Sequence, residues 1–236
     1  MMRMNGDHLQ SPNSVRPAIA IDGPAASGKS SAGKMFASRL GYRFLDTGLM
    51  YRAATWYAMN NGVHINDPEA VSAVVGKMEF SIIDGESGEN LILVNGQDVT
   101  RFLHSTSVDV SVSPVSAITA VRKIMVAEQR RIATTGSIVM VGRDIGTVVI
   151  PNAPLKIFLT ASAETRANRR YSEFIADGTE VDLADILSSI ENRDRIDSSR
   201  EDSPLKPASD AHMLDTDDLS LNEVVAHMVE LSMGII

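Results

Sequence analysis

The stretch that most restricts this chain is Ala18-Ile19-Ala20-Ile21-Asp22, followed at once by Gly23-Pro24-Ala25-Ala26-Ser27-Gly28-Lys29-Ser30. Residues 18–22 form an apolar run that turns polar only at Asp22, the pattern of a strand buried on both faces of a parallel sheet. The residues after it match G-x-x-x-x-G-K-[ST], and a helical pattern runs from Lys29 to about Leu40. A strand, a glycine-rich turn and a helix N-terminus in that order make an anion cradle. Backbone N–H groups turn toward phosphate oxygens, and the helix end adds partial positive charge. Lys29 is placed to reach the β- and γ-phosphates of ATP, and the Ser30 hydroxyl to help hold Mg²⁺. The candidate ATP-binding residues are therefore Gly23, Pro24, Ala25, Ala26, Ser27, Gly28, Lys29, Ser30 and Ser31. A plain strand-to-helix turn also uses glycines, but it gives no reason for Lys29 and Ser30.

The rest of the chain reads as an α/β domain with an interruption. Helical patterns are expected over 48–61 and 67–75, the second opening at Asp67-Pro68, a cap followed by proline at the first helical position. Residues 78–83 and 90–96, separated by the Gly- and acid-rich turn 84–89, predict an antiparallel hairpin. A long helix is expected from Pro114 to about Thr134. Strands are expected at 137–142, 155–160 and 211–216, and helices at 162–177, 182–201 and 220–232. Strands alternating with helices at both ends imply a doubly wound parallel sheet; the β-rich stretch between them implies a small inserted subdomain.

Composition removes several classes of function. The chain of 236 residues has no cysteine, which excludes a disulfide framework, thiolate zinc sites and a Cys nucleophile. No run of 18 apolar residues occurs, so no membrane span is expected. Residues 1–17 are polar, contain two prolines and lack the apolar run of a signal peptide; they read as a disordered leader before one domain spanning 18–236. The net charge is −8, which argues against a nucleic-acid partner. Yet the basic residues are 16 Arg and only 6 Lys, and Arg is the residue that grips phosphate with a planar fork. D-x-x-G and N-K-x-D, expected of GTPase switches, are absent. A small phosphotransferase is favoured over a nucleotide-binding regulatory module.

Arginines gather where an acceptor would sit. Asp46-Thr47-Gly48-Leu49-Met50-Tyr51-Arg52 follows the second strand, and Gly142-Arg143-Asp144-Ile145-Gly146-Thr147 follows a buried one; strand ends are where doubly wound sheets bind ligands. A structural ion pair between Arg143 and Asp144 is the competing reading. Arg193, Asp197 and Arg200 share a helix face at i, i+4 and i+7. Arg166, Arg169 and Arg170 lie within about one and a half turns and repel unless an anion lies between them.

In that order, GPAASGKSS, LDTGLMYRA, GRDIGTVV and NRDRIDSSR resemble bacterial cytidylate kinase, and the resemblance runs from about Ala18 to the C-terminus. It implies transfer of the γ-phosphoryl group of ATP to CMP or dCMP with Mg²⁺. It also implies a P-loop kinase core, an insert at about 60–113 that binds the nucleoside monophosphate, and a helical lid at about 162–180. Carried over residue by residue, Arg52, Arg143 and Arg200 would hold the acceptor phosphate. Ser113, Arg122 and Asp144 would meet the cytosine, Arg193 and Asp197 the ribose, and Thr47 would line the same pocket. Lys29, Arg143 and Arg200 are the expected catalytic group, and Arg166, Arg169 and Arg170 belong to the lid. Many members have glycine where this chain has Ala26, and threonine where it has Ser31. The resemblance further implies a monomer in the cytoplasm acting on small nucleotides. The alternative within enzymes is a kinase for another small acceptor.

Overall fold

The computed structural model describes residues 16–84, 90–176 and 178–235. Strand β1 (Ile19–Asp22) is buried at every position, as its unbroken apolar run requires. It is the middle of a five-stranded, all-parallel sheet. β6 (Ile138–Gly142) and then β2 (Arg43–Asp46) lie on one side, β7 (Lys156–Thr160) and then β8 (His212–Asp215) on the other. The register pairs Asp22 with Gly142 and Asp46 with Val141. Three strands therefore end level, and the loops that leave them open onto one edge of the sheet.

Helices cover both faces. On one face α1 (Lys29–Leu40) and α8 (Leu221–Ser232) bury Phe36, Val225 and Met228 against Ile21, Val139 and Ile157. A capping box between Ser220 and Glu223 starts α8. On the other face α2 (Thr47–Asn60), α3 (Pro68–Val75), α4 (Thr106–Ala117) and α5 (Thr119–Ala133) bury Met50, Val71, Val112 and Met125 against Leu45 and Met140. The insert is an antiparallel sheet in the order β3 (Phe80–Asp84), β4 (Asn90–Val94), β5 (Gln97–Asp98), with Ile92 and Val94 packed on Ala53 of α2. The expected hairpin is present; residues 85–89 of its turn lie outside the described residues. Helices α6 (Ala163–Ala176) and α7 (Leu183–Ser199) pack together through Ala167, Ile186 and Ile190, and Ala26 of the glycine-rich loop joins that cluster.

Three features differ from the sequence reading. The helix expected from Pro114 is two helices, bent by 93° at Ile118, whose extended backbone ends α4 and opens α5. Pro114 lies inside α4, not at its start. Proline removes the donor for the carbonyl four residues back, here that of Val110, a residue 74% exposed. After β6 the chain makes one wide turn at Ile145–Val149, with N–H groups of Val149 and Ile150 reaching back to the carbonyls of Asp144 and Ile145. The boundary drawn after residue 17 cuts too late. Arg16 bonds through its backbone to Ser137, reaches the Leu40 carbonyl with its guanidinium at 2.8 Å, and lies over the Tyr42 ring. The remainder of the expected leader, residues 1–15, lies outside the described residues. Among the described residues no single helix is long and apolar enough to cross a membrane.

Candidate active site

A cleft of about 1480 Å³ opens where β1, β2 and β6 end, between the core, the insert and the helices α6 and α7. Residues 25–31 of the glycine-rich loop line it. The loop needs its glycines for two reasons. A Cβ at Gly23 would stand 2.0 Å from the Leu159 carbonyl oxygen. Gly28 takes φ +85 to turn the chain into α1. Ala26 holds φ +58, a left-handed conformation that a side chain disfavours by about 1–2 kcal/mol. The first N–H groups of α1 face this loop without partners in the helix, an anion site by construction. Lys29 is buried and donates to the Pro24 carbonyl at 2.5 Å and to Ser27 Oγ at 3.2 Å. Burial, reinforced by Arg143, holds its ammonium well below the usual lysine range. Ser30 Oγ donates to Asp46 Oδ2 at 2.5 Å, while Asp46 Oδ1 caps α2 through the Gly48 N–H.

The arginines of the sequence motifs gather opposite this loop, some on the cleft wall and some behind it. Arg52, from α2, donates through Nη1 to the Leu103 carbonyl and to Asp109. Arg143, leaving β6, donates through Nε to Asp197 Oδ2 at 2.9 Å. Arg200, just after α7, stands 3.5 Å from the other Asp197 oxygen. Burial alone pushes the Asp197 carboxyl up, but Arg143, Arg200 and Arg193 together pull it below its ordinary value. Arg193 forms no ion pair among the described residues, and its buried Nε has no hydrogen-bond partner. Burial and the neighbouring Arg143 bring its guanidinium down to about 10. The Arg143–Asp144 pair does not form, because the wide turn after Asp144 sends the two side chains to different partners. Asp144 meets Arg122 of α5 in a contact where both are buried, and Arg122 also bonds the Ser116 carbonyl and lies over Tyr51.

The sequence matches the cytidylate kinase family over residues 19–233. It is 48% identical over 219 residues to the cytidylate kinase of Geobacillus sp. (strain WCH70), covering 93% of this chain and 96% of that one. It is 45% identical to that of Rhodococcus opacus (strain B4), covering 89% and 92%, and 47% identical to that of Streptococcus equi subsp. equi (strain 4047), covering 92% and 96%. The chain belongs to the cytidylate kinase family.

Within this cytidylate kinase family chain the candidate residues separate into two layers. Ala25 to Ser31, Arg52, Ser113, Arg143, Arg193, Arg169 and Arg170 line the cleft. Gly23, Pro24, Thr47, Arg122, Asp144, Asp197, Arg200 and Arg166 are not on its wall; Thr47 Oγ1 bonds the Val141 carbonyl. The three arginines of α6 do not share one anion. Arg166 is buried against the Ala25 and Ala161 carbonyls and Asp194. Arg169 goes to Thr216, and Arg170 to Glu173 and Asp109. Carbonyls and separate carboxylates relieve the repulsion that their spacing creates.

Sequence reasoning passed over four polar residues of the site. Asp22 ends β1 and accepts from the Ile145 and Gly146 N–H groups at 2.7 Å each; burial pushes its carboxyl up to about 6. Asp46 meets Ser30, and Asn90 of the insert accepts from the Asp46 N–H and donates to the Phe44 carbonyl. Asp109 joins Arg52 to Arg170. Asp22 carried a signal, being the first polar residue of an apolar strand, and Asp46 ends a strand at the sheet edge where ligands bind. Asn90 and Asp109 carried none, because their partners are distant in sequence.

Proposed function

We propose that ATP lies on the loop 23–31 and CMP or dCMP on the arginine-rich wall, with the γ-phosphoryl group passing in line between them. The chain is a nucleoside monophosphate kinase, and its reaction is ATP-dependent phosphoryl transfer to CMP or dCMP. The observation that carries the reading is charge. Arg52, Arg143, Arg193 and Arg200 gather around Asp109 and Asp197, more cations than carboxylates, a surplus suited to a phosphate dianion. In this reading Arg52, Arg143 and Arg200 grip the acceptor phosphate. Arg193 and Asp197 meet the ribose, and Ser113, Arg122 and Asp144 read the base beside Thr47.

The acceptor oxygen is already anionic, so no general base is needed. Catalysis rests on alignment and on neutralising the charge of the transferring group. Lys29 leaves the Pro24 carbonyl for the phosphates, and their charge returns its ammonium toward the ordinary range. The Ser30 hydroxyl and the Asp46 carboxylate are hard oxygens side by side, and they fit Mg²⁺, which neutralises phosphate charge when bound. Helices α6 and α7 keep water from the reacting group, with 60–113 as the acceptor-binding insert and 162–180 as the lid. The enzyme acts as a monomer in the cytoplasm on small nucleotides, without a nucleic-acid or membrane partner. ADP formation measured over a panel of nucleoside monophosphates tests the reading. CMP and dCMP are expected to be good acceptors, with UMP weaker by about 10²-fold in kcat/KM for two mismatched polar contacts. Equal use of UMP and CMP refutes the cytosine-reading role of Arg122 and Asp144.

A further inference from the structure

We propose that Asp109 is a positioning residue that couples the lid to the arginine holding the acceptor phosphate. The inference rests on the reading of Arg52 given above. Asp109 lies on α4, and its two oxygens serve two different helices. Oδ1 accepts from Arg52 Nη1 of α2, and Oδ2 accepts from Arg170 Nη2 of α6 at 3.4 Å.

The first contact orients Arg52. One hydrogen of its Nη1 goes to Asp109 and the other to the Leu103 carbonyl at 2.8 Å. With that amino group committed, Nε and Nη2 are the donors left to Arg52, which lines the cleft. A bidentate edge is the geometry that phosphate takes.

The second contact brings in the lid. Arg170 is held on α6 by Glu173 at 3.0 Å and by the Phe174 ring at 4.7 Å, so the part of its fork that reaches Asp109 moves with that helix. A displacement of α6 as ATP is enclosed is therefore transmitted through one carboxylate to the fork of Arg52. Arg52 is 12% exposed and Arg170 34%. The lid contact is the more solvated and the easier to break, as a link that opens and closes requires.

The test is a coupling measurement on the intact chain. Calorimetric titration gives the Kd of CMP with and without a saturating non-hydrolysable ATP analogue, for the wild type, Asp109→Asn, Arg170→Gln and the double variant. In the wild type the analogue is expected to tighten CMP by about 5-fold or more. In each single variant that factor is expected to fall below about 2-fold, with an unchanged melting temperature, and the double variant is expected to lose no more than either single one. A wild-type factor preserved in Asp109→Asn, losses that add in the double variant, or no coupling in the wild type each overturns the proposal. Arg170→Gln carries the same test should Asp109→Asn fold poorly. Arg52→Gln separates the two layers of argument. Unchanged CMP affinity in that variant refutes the acceptor-phosphate reading itself, whereas lost affinity there with intact coupling in Asp109→Asn refutes only the role of Asp109.

Discussion

Replacing Asp144 by alanine is expected to damage stability and base recognition together, and the structure gives the size of the first effect. Arg122 is 3% exposed and Asp144 4%, and they are in direct contact. Removing the carboxylate leaves a buried guanidinium bonded to the Ser116 carbonyl and lying over the Tyr51 ring, with the Asp197 carboxylate as a remaining charge acting on it. A buried pair broken on one side costs about 3–5 kcal/mol. For a chain of this length each kcal/mol moves the melting temperature by about 2–4 °C, so a fall of about 6–20 °C is expected in a calorimetric scan. The double variant Asp144→Ala/Arg122→Met removes both charges, and an apolar pair of similar volume is often neutral in such a place. It is expected to recover most of the lost stability and none of the preference for CMP over UMP. That separation is the point of the experiment. A single variant that loses under about 1 kcal/mol refutes the buried-charge argument. A double variant that regains stability and still prefers CMP refutes the role of the pair in reading the base.

Lys29→Ala is expected to lower turnover by at least about 10²-fold with the fold intact, since the ammonium acts on the transferring phosphoryl group; near-normal kcat in the purified variant contradicts this. Arg16→Ala removes the bond to the Leu40 carbonyl and the contact with Tyr42. It is expected to cost about 1–2 kcal/mol in urea unfolding, and an unchanged midpoint speaks against that anchor. The Asp22 carboxyl, raised by burial to about 6, binds its proton more tightly in the folded chain than in the unfolded one, where it titrates near 3.9. Its contribution to stability is therefore complete below about pH 4 and is lost as pH rises through about 6, by about 3 kcal/mol in all. A carboxyl ¹³C titration of Asp22 with a midpoint below about 4.5 would contradict this.

Local chemistry made much of the molecule readable in advance. The apolar run of β1, the glycines that bend the loop into α1, and the capped starts of α3 and α8 each declare themselves within a few residues. The arginines were visible because their number exceeds what an acidic chain needs on its surface. Long-range pairings were not visible. Nothing near Asp109 marks it as the partner of Arg52, 57 residues earlier, and of Arg170, 61 residues later. Nothing in GRDIGT shows that Arg143 turns to Asp197 while Asp144 turns to Arg122. The break at Ile118 was hidden for another reason. Pro114 carries the signal of a helix start, and nothing local shows that α4 begins at Thr106 and runs through the proline.

The ion pairs of the site serve placement more than fold stability. Solvated pairs are worth about 0–1 kcal/mol and buried ones often less than an apolar replacement. What distinguishes these pairs is that each joins two elements. Arg52 and Asp109 join α2 to α4, Arg143 and Asp197 join the end of β6 to α7, Arg122 and Asp144 join α5 to the turn after β6, and Arg166 and Asp194 join α6 to α7. Arg52 and Arg143 line the cleft with one side of the guanidinium held by a carboxylate, whereas Arg122 and Arg166 are buried with their partners away from it. In the proposed reading the forks of Arg52 and Arg143 are thus aimed before the acceptor arrives, and little reorganisation remains at the moment of transfer. Arg193 lacks such a partner, and its lowered affinity for the proton is the sign of a cation that the protein alone does not satisfy. In the proposed reading the acceptor nucleotide, whose ribose Arg193 meets, supplies the missing partner. The site is thereby ordered along its edges by aspartates and left electrostatically incomplete at Arg193.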